Sequence, residues 1–485
     1  MKNNYKIQNK NRTKIIATVG PASSDAETLK SIIANGCTVF RVNFSHGSHE
    51  AHAKSIQAIR DAAESLDRHV AIMGDLQGPK IRIGGIVGES FDLSVGQTLV
   101  LDSDIADDQG SVDGVSYLCE TLAQSCQPGS ELMLDDGRVQ LEVLEISGYK
   151  ITTKVIAGSR LSSRKGLNLK GGGLAEDALT PKDKKDIKFA SQQAIDYICV
   201  SFPVTPQDMF DARKLLDESG CDAKLIAKLE RAEVVVDTPT IDAMINASDG
   251  VMVARGDLAV EVGFEVVTSI QKQIVQRARS LNKPVIVATQ MMESMINSPV
   301  PTRAEVSDVA NAVFDQADAV MLSAESAVGE FVVETIKTVY NVIIATEKNE
   351  LTQISKHRVE CDFENVDESM AMAAMYTANH FAGIKAIICL TESGSTALWM
   401  SRIKSHLPMV ALSVKESTLN RVALYKGVKP VHLPHHEERN EFLTEAVEYA
   451  RKVVDLESGD YVAITFGDVV GVDGHTNTLK ILRVD

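Results

Sequence analysis

Short apolar, β-branched runs alternate with stretches of helical periodicity through the first 350 residues. Apolar runs without polar alternation are typical of parallel strands that are buried on both faces. Eight runs are predicted as strands, at residues 15–20, 38–45, 70–76, 197–202, 225–230, 250–256, 284–290 and 319–325. Helix-compatible sequence follows each of them, and eight such units predict a (β/α)₈ barrel.

Helix start signals support this alternation. Capping boxes are predicted from Ser24 with Glu27 and from Thr302 with Glu305, and Pro206 is predicted at the first position of another helix.

The barrel pattern is interrupted once and is followed by a second pattern. Residues 78–176 show short alternating runs with Gly, Asp and Ser turns, which predicts a small β-barrel domain inserted as a lid over the active site. The barrel is therefore predicted from residues 1–77 and 177–349. Residues 350–485 are predicted as a doubly wound α/β domain, with strands at 386–390, 409–413, 461–466 and 479–484 and helices at 369–381, 397–404 and 441–453.

Composition narrows the class of protein. Lys and Arg number 50 against 66 Asp and Glu, a net charge of −16 that argues against a nucleic-acid or anionic membrane partner. The seven cysteines form no Cys-x-x-Cys pair, which argues against a disulfide framework or zinc site and favours a reducing compartment. No secretory signal or bilayer-spanning run is seen, so we expect a soluble cytoplasmic protein.

Unusual polar residues follow the predicted strands at equivalent positions. In a parallel barrel these strand ends converge on the face where such folds do chemistry. The clusters are RVNFSHG at 41–47, GD at 74–75, KLE at 228–230, RGD at 255–257, TQ at 289–290 and SAE at 323–325.

These residue types suit phosphate and a divalent cation. Lys228 and Glu230 are two apart on a strand and point the same way, either into a site or as a plain ion pair. Glu230 with Asp257 can hold Mg²⁺. Arg41 offers a planar fork for phosphate, or else pairs structurally with Asp75. The residue types indicate metal-assisted phosphoryl transfer from a small phosphate ester that bears a carboxylate.

The same segments closely resemble the pyruvate kinase family along nearly the whole chain. The matching segments are TVGPAS at 18–23, RVNFSHG at 41–47, AKLE at 227–230, MVARGDL at 252–258, ATQM at 288–291, PTRAE at 301–305 and MLS at 321–323. The resemblance implies transfer of a phosphoryl group from phosphoenolpyruvate to ADP, giving pyruvate and ATP in glycolysis. It also implies Mg²⁺ as cofactor, with Mn²⁺ able to substitute, and a homotetramer.

Residue roles follow from this resemblance. Arg41 is expected to grip the phosphate and Lys228 to stabilise its charge, while Glu230 and Asp257 bind Mg²⁺. The substrate carboxylate is expected on the backbone of Gly256 and Asp257 and on the hydroxyl of Thr289. A network near Thr289 is expected to protonate the enolate, with Ser323 and Glu325 as weaker candidates. The positions that match the nucleotide-phosphate site are Asn43, His46, Arg82 and Lys165.

One position departs from the potassium-dependent members of the family. In those members the K⁺ ion is enclosed by the counterparts of Asn43, Ser45, Asp75 and the Leu76 carbonyl. Lys80 stands where they have Glu, and its ammonium can supply the positive charge of the ion. We therefore expect that K⁺ is not required.

The C-terminal domain resembles the family's effector domain. A phosphorylated effector is expected on the backbone and hydroxyls of Thr391, Ser393, Gly394, Ser395 and Thr396, under a loop at 471–477. Glu392 favours a sugar or nucleotide monophosphate, and an ordinary helix cap without ligand is the alternative.

Two other functions are compatible with parts of the pattern. A Mg²⁺-dependent lyase or mutase acting on an enolate could use similar carboxylates, but it leaves the inserted domain with Lys165 unexplained. A catalytically silent metabolite sensor would have no need for intact Lys228, Glu230, Asp257 and Thr289.

Overall fold

The structure, a computed structural model, describes residues 10–119, 121–173, 177–353, 362–434, 439–467 and 475–485. Within these residues, strands are numbered β1 to β21 and helices α1 to α15 in chain order. None of the helices is long and apolar enough to cross a bilayer.

Eight parallel strands of the described chain close into a barrel, as predicted. They are β1 (Lys14–Thr18), β2 (Cys37–Asn43), β3 (Ala71–Asp75), β12 (Tyr197–Val200), β13 (Lys224–Leu229), β14 (Gly250–Ala254), β15 (Val285–Ala288) and β16 (Ala319–Leu322). The predicted strands mostly run a residue or more beyond the observed carboxyl ends. Most of the polar clusters therefore lie at or just past the strand ends, at the barrel mouth.

Helices surround the barrel and cover its outward-facing side chains. Thr302 and Glu305 form the predicted capping box, and Pro206 opens its helix as predicted. The Ser24 cap is wrong by one residue, because the Asp25 carboxylate accepts from the Thr28 N–H and caps that helix instead. The helices are α1 (Ala26–Ala34), α2 (His49–Ser65), α4 (Pro181–Ala190), α5 (Pro206–Glu218), α6 (Thr238–Asn246), α7 (Arg255–Val262), α8 (Val267–Ser280), α9 (Arg303–Phe314), α10 (Ala324–Ala327) and α11 (Val332–Glu347).

The described residues of the segment between β3 and α4 are all-β apart from one short helix, α3 (Leu122–Ser125). The segment forms a six-stranded and a two-stranded sheet around a hydrophobic core of its own, drawn from residues 81–169. It leaves and rejoins the barrel on the mouth side. The strands are β4 (Ser90–Asp92), β5 (Thr98–Asp102), β6 (Gly114–Val115), β7 (Glu131–Leu134), β8 (Val139–Ser147), β9 (Lys150–Ala157), β10 (Arg160–Ser162) and β11 (Leu167–Leu169).

The described strands of the C-terminal part form one sheet in the order β19-β18-β17-β20-β21, parallel except for β21. The strand β19 was not predicted, because Lys429 and Pro430 break its apolar run. The strands are β17 (Ile384–Leu390), β18 (Met409–Ser413), β19 (Val428–His432), β20 (Tyr461–Gly467) and β21 (Thr476–Arg483), with helices α12 (Val366–His380), α13 (Ser395–Ser401), α14 (Glu416–Val422) and α15 (Arg439–Arg451).

This C-terminal part packs against the amino ends of the barrel strands, a region we call the barrel foot. Inward-facing barrel residues such as Ile16 share one hydrophobic cluster with C-terminal residues such as Tyr425. The Tyr197 hydroxyl donates to the Arg421 carbonyl at 2.8 Å. Contacts from the C-terminal part therefore close the foot of the barrel, opposite its mouth.

Candidate active site

Two cations share one carboxylate at the barrel mouth. Two atoms of the Arg41 guanidinium, Nε and Nη2, each lie 2.6 Å from Oδ2 of Asp75. The third nitrogen, Nη1, donates to the Thr18 hydroxyl at 3.1 Å. Lys228 Nζ lies 3.5 Å from Oδ1 of the same carboxylate. Burial opposes the ionised form of Asp75, but Lys228 and Arg41 outweigh it and lower the pKa of Asp75. The structural pairing of Arg41 with Asp75 is therefore present, and it orients both cations without a ligand.

Ser201, which the sequence analysis missed, connects this group. Its hydroxyl accepts from Lys228 Nζ at 2.7 Å and donates to the Leu76 carbonyl at 2.7 Å. Burial would lower the pKa of Lys228, but Asp75 and Glu230 outweigh it, so the pKa is raised and the ammonium is retained.

Glu230 is fully buried beside Lys228. Its Oε1 accepts from the Phe202 N–H at 2.9 Å, while its Oε2 has no hydrogen bond although Lys228 Nζ lies 3.4 Å away. Burial raises the pKa of Glu230 to about 7; Lys228 opposes this shift, and Asp257 and Asp75 add to it. The predicted ion pair therefore exists, but it leaves one carboxylate oxygen without a donor.

Asp257 approaches the same group from the first turn of α7, which follows β14. Its Oδ1 accepts from Lys80 Nζ at 2.8 Å. Burial would lower the pKa of Lys80, but Asp257 outweighs it and the pKa is raised. Lys80 also interacts electrostatically with Glu230. Its ammonium therefore lies on the Asp257 side of the mouth.

The residues suit a divalent cation that the substrate helps to bind. No group of three or more His, Cys, Asp or Glu side chains arranged for a metal occurs in the described chain. Mg²⁺ commonly takes one or two carboxylates and completes its shell with water and substrate oxygens. The unpartnered oxygen of Glu230, with Asp257 close enough to raise its pKa, fits that requirement.

A hydrogen bond joins Gly256 to Thr289. The Gly256 N–H donates to Thr289 Oγ1 at 2.8 Å, and that hydroxyl donates to the Ala288 carbonyl at 2.6 Å. Thr289 and Gln290 have φ angles of 70° and 53°, which are unfavourable for a β-branched residue such as threonine. Arg255 stabilises this turn by donating to the Thr289 carbonyl at 2.6 Å.

The four predicted nucleotide residues lie on the mouth side, two in the loop after β2, where the His46 N–H donates to the Asn43 carbonyl at 3.4 Å, and two on the inserted segment. Asn43 accepts from the Ser45 N–H at 3.1 Å, and His46 is exposed in the same loop. On the inserted segment, Arg82 donates to the Arg164 carbonyl at 3.1 Å. Lys165 forms a 2.7 Å ion pair with Asp135.

Glu325, a weaker candidate for the proton network, is occupied by backbone donors. Its oxygens accept from the N–H groups of Met292 at 3.1 Å and Ser323 at 2.7 Å.

The predicted effector loop lies between β17 and α13. Thr391 Oγ1 accepts from the Gly394 N–H at 2.9 Å, and the hydroxyls of Ser393 and Ser395 lie 3.0 Å apart. Gly394 has a φ of 92°, and a Cβ there would lie 2.8 Å from Val422 Cγ1, so the turn requires glycine.

Two further residues complete the loop. Thr396 bonds the Thr476 hydroxyl at 2.9 Å, while most of the predicted closing loop 471–477 lies outside the described residues. Lys415, missed by the sequence analysis, pairs with Glu392 at 3.2 Å and reduces the repulsion that Glu392 would exert on a phosphate.

The fold and site define a barrel enzyme that handles a phosphate-bearing anion with a divalent cation. Residues 10–336 match the family model "Pyruvate kinase, barrel domain", and residues 368–482 match "Pyruvate kinase, alpha/beta domain". Pyruvate kinase II of Salmonella typhimurium is 50% identical over 98% of this chain and 99% of the relative. The pyruvate kinases of Haemophilus influenzae and Methylorubrum extorquens are 47% and 38% identical, each over 98% of this chain and over 99% and 97% of their own lengths.

The chain therefore belongs to the pyruvate kinase family. Its reaction is the transfer of a phosphoryl group from phosphoenolpyruvate to ADP, giving pyruvate and ATP, with Mg²⁺ as cofactor.

Proposed function

We propose that the chain carries out this reaction with Arg41 on the transferring phosphate and Lys228 on the charge that develops on it. The observation that carries the proposal is the buried Asp75 carboxylate, which pairs with both cations at the barrel mouth. Phosphoryl transfer needs positioning and charge stabilisation more than covalent chemistry, and two oriented cations supply both.

Glu230 and Asp257 would hold Mg²⁺, with Mn²⁺ able to substitute. When bound, the metal neutralises negative charge on phosphate oxygens. The support is the unpartnered Oε2 of Glu230, since a buried oxygen without a donor is costly unless a ligand satisfies it.

The substrate carboxylate would bind at Gly256, Asp257 and Thr289. The Gly256 N–H donates to the Thr289 hydroxyl, which donates to the Ala288 carbonyl, so a carboxylate that accepts from both donors would replace two neutral internal bonds with two charge-assisted ones. Thr289 would then lie next to the enolate and relay its proton to carbon. Ser323 and Glu325 remain weaker candidates, because both Glu325 oxygens already accept from backbone.

The segment 78–176 would act as a lid that carries Lys165 and Arg82 to the nucleotide phosphates, together with Asn43 and His46 of the barrel. The ion pair between Lys165 and Asp135, both on this segment, positions the lysine on the lid. The barrel would then comprise residues 1–77 and 177–349, and the effector domain residues 350–485.

Lys80 would replace the monovalent cation of the potassium-dependent enzymes, so that K⁺ is not required at Asn43, Ser45, Asp75 and Leu76. The support is its raised pKa, which keeps the ammonium charged at the mouth.

A phosphorylated effector, a sugar or nucleotide monophosphate, would bind the loop that contains Thr391, Ser393, Gly394, Ser395 and Thr396. The hydroxyls gathered around the Gly394 turn, with Lys415 nearby, are the support. By analogy with the family we also propose a cytoplasmic homotetramer.

The test is ADP-dependent formation of pyruvate, which is measured in an assay coupled to lactate dehydrogenase. Lys228→Met should lower kcat by about 10³-fold, since oriented electrostatic donors commonly contribute about 10²–10³-fold each. The exposed Lys54→Met serves as a control and should retain full activity. A Lys228→Met enzyme within tenfold of the wild type would exclude the role of Lys228. An inactive wild type would favour the silent sensor, and ADP-independent pyruvate formation would favour a lyase.

A further inference from the structure

A cationic cavity lies where the barrel foot meets the C-terminal part, on the side of the barrel away from the catalytic mouth. Its volume is about 520 Å³, within the range of small-molecule sites. Seven of its seventeen lining residues are Lys or Arg and two are acidic. At the chain's average of 50 in 485, seventeen residues would contain about two such cations. This cavity is therefore enriched in positive charge although the protein as a whole is acidic.

The cations come from segments far apart in sequence. Lys10 precedes β1, Lys348 follows α11, Lys385 lies in β17, Lys429 lies in β19 and Lys452 follows α15. We call this space the junction cavity. Only the tertiary fold brings the five lysines together, so their proximity is not explained by a charged run of sequence.

Carboxylates compensate these lysines only in part. Glu347, one of the two acidic lining residues, accepts from the backbone N–H groups of Arg12 at 2.8 Å and Thr13 at 2.7 Å. Among the described residues, none forms an ion pair with Lys10, Lys348 or Lys385.

Lys429 shows the effect of this surplus charge. Burial lowers its pKa to about 8, repulsion by Arg68 and Lys10 adds to the shift, and Asp455 offsets it in part. Its Nζ donates only to the Val453 carbonyl among the described residues, at 3.1 Å. An anion in the cavity would remove this repulsion.

We propose that the junction cavity binds a small phosphorylated metabolite, with its phosphate held by ammonium groups of Lys348, Lys385 and Lys429. Lysine ammonium groups serve as point charges for phosphate. This site is separate from the loop at Thr391–Thr396, because Lys385 lies near the amino end of β17 and Thr391 follows its carboxyl end.

The cavity is connected to the catalytic mouth through a single strand. The Arg12 guanidinium donates to the carbonyls of Thr352, Ser405 and Glu347, which ties the residues before β1 to both sides of the junction. At its other end β1 terminates at Thr18, whose hydroxyl accepts from Arg41. A ligand in the cavity is therefore expected to change the concentration of phosphoenolpyruvate that half-saturates the enzyme. This consequence rests on the proposed role of Arg41, whereas binding itself does not.

The test measures binding to the full-length protein without substrates. Calorimetric titration with glucose 6-phosphate, and separately with inorganic phosphate, would compare the wild type with Lys348→Gln/Lys385→Gln. A matched control, Lys54→Gln/Lys185→Gln, removes two exposed lysines elsewhere. We expect about tenfold weaker binding in the cavity variant, unchanged binding in the control and unchanged basal activity. Preference for the sugar phosphate over inorganic phosphate would show that more than the phosphate is recognised.

Amine-reactive footprinting then locates the site. Either probe should protect Lys348 and Lys385 but not Lys54, and Ser395→Asp should leave that protection intact. Equal affinities in the two double variants, or no protection of Lys348 and Lys385 by either probe, would overturn the proposal. Protection that disappears in Ser395→Asp would also overturn it, because it would then originate from the loop.

Discussion

The mouth and the foot of the barrel both bury charged side chains, but they satisfy them differently. At the foot, both oxygens of Asp318 are occupied. They accept from Arg402 and from the backbone N–H groups of Val285 and Lys426, each at 3.0 Å. At the mouth, Glu230 is as deeply buried but keeps one oxygen without a donor.

This difference separates buried charges that stabilise the fold from buried charges that are available to bind a ligand. Burial opposes ionisation of Asp318, but Arg402 outweighs it and lowers the pKa of Asp318. For Glu230 burial prevails and the pKa is raised to about 7. A buried carboxylate whose two oxygens both accept hydrogen bonds thus indicates a structural role. A buried carboxylate with one oxygen that accepts none indicates a binding site.

The strongest test of this comparison is Asp318→Asn at the foot. The substitution leaves the Arg402 guanidinium buried without its counter-charge, so we expect a loss of about 3–5 kcal/mol in the free energy of unfolding. Urea denaturation measures this loss. The kcat of the folded fraction should stay within about threefold of the wild type. A stable variant with low kcat would contradict the division between foot and mouth.

The matched change at the mouth is Glu230→Gln. It removes a carboxylate expected to bind the metal, so kcat should fall by about 10²–10³-fold, comparable to the loss of one oriented catalytic group. Its free energy of unfolding should fall by less than about 1 kcal/mol, because an incompletely satisfied buried charge is replaced by a neutral amide. Mn²⁺ binding without substrates, measured by electron paramagnetic resonance, should also weaken. Undiminished Mn²⁺ affinity would exclude Glu230 as a ligand.

The sequence predicted the barrel well because its signals are local. Eight apolar runs with helical sequence between them define the strands, and strand ends in a parallel barrel must converge. Lys228, Glu230 and Asp257 could therefore be assigned to one site before any coordinates. The wrong prediction of Ser24 as the helix cap also concerns a local signal, since the neighbouring Asp25 is an equally good capping residue.

The connecting residues could not be predicted, because they are defined by distance in space. Nothing in the sequence around Ser201 indicates a role in the site, because its contact with Lys228, 27 positions away, forms only when the barrel closes. Lys80 and Asp257 are 177 positions apart, and Asp318 and Arg402 are 84 apart. No sequence period couples such positions, so their pairing appears only in the tertiary structure.

A smaller effect is expected when the monovalent cation is changed. With tetramethylammonium in place of K⁺, wild-type kcat should stay within about twofold, because Lys80 carries its own charge at the mouth. Lys80→Glu should lose about tenfold or more in tetramethylammonium and recover in K⁺, consistent with the Coulomb energy of one charge in a partly buried site. The exposed Lys54→Glu is the control. A wild-type enzyme that loses activity without K⁺ would refute the proposal for Lys80.

The pH dependence of stability tests two lysines at the foot, Lys14 and Lys426. Lys14 Nζ donates to the Val428 carbonyl at 2.5 Å, and Lys426 Nζ donates to the Thr13 hydroxyl at 2.7 Å. Burial lowers the pKa of each to about 7 from the usual 10.5. Between pH 7 and pH 10.5 the unfolded chain therefore binds more protons than the folded one, and stability should rise with pH.

Each lysine can contribute at most about 1.4 kcal/mol per pH unit to this rise. Urea denaturation at pH 7, 8 and 9 should show the slope in the wild type, and Lys14→Met should reduce it because one titrating group is removed. Lys54→Met, at an exposed position, should keep the wild-type slope. Equal slopes in all three proteins would mean that Lys14 is not neutral in the folded state above pH 7. The foot would then hold an uncompensated ammonium, and the contrast with the unsatisfied oxygen at the mouth would disappear.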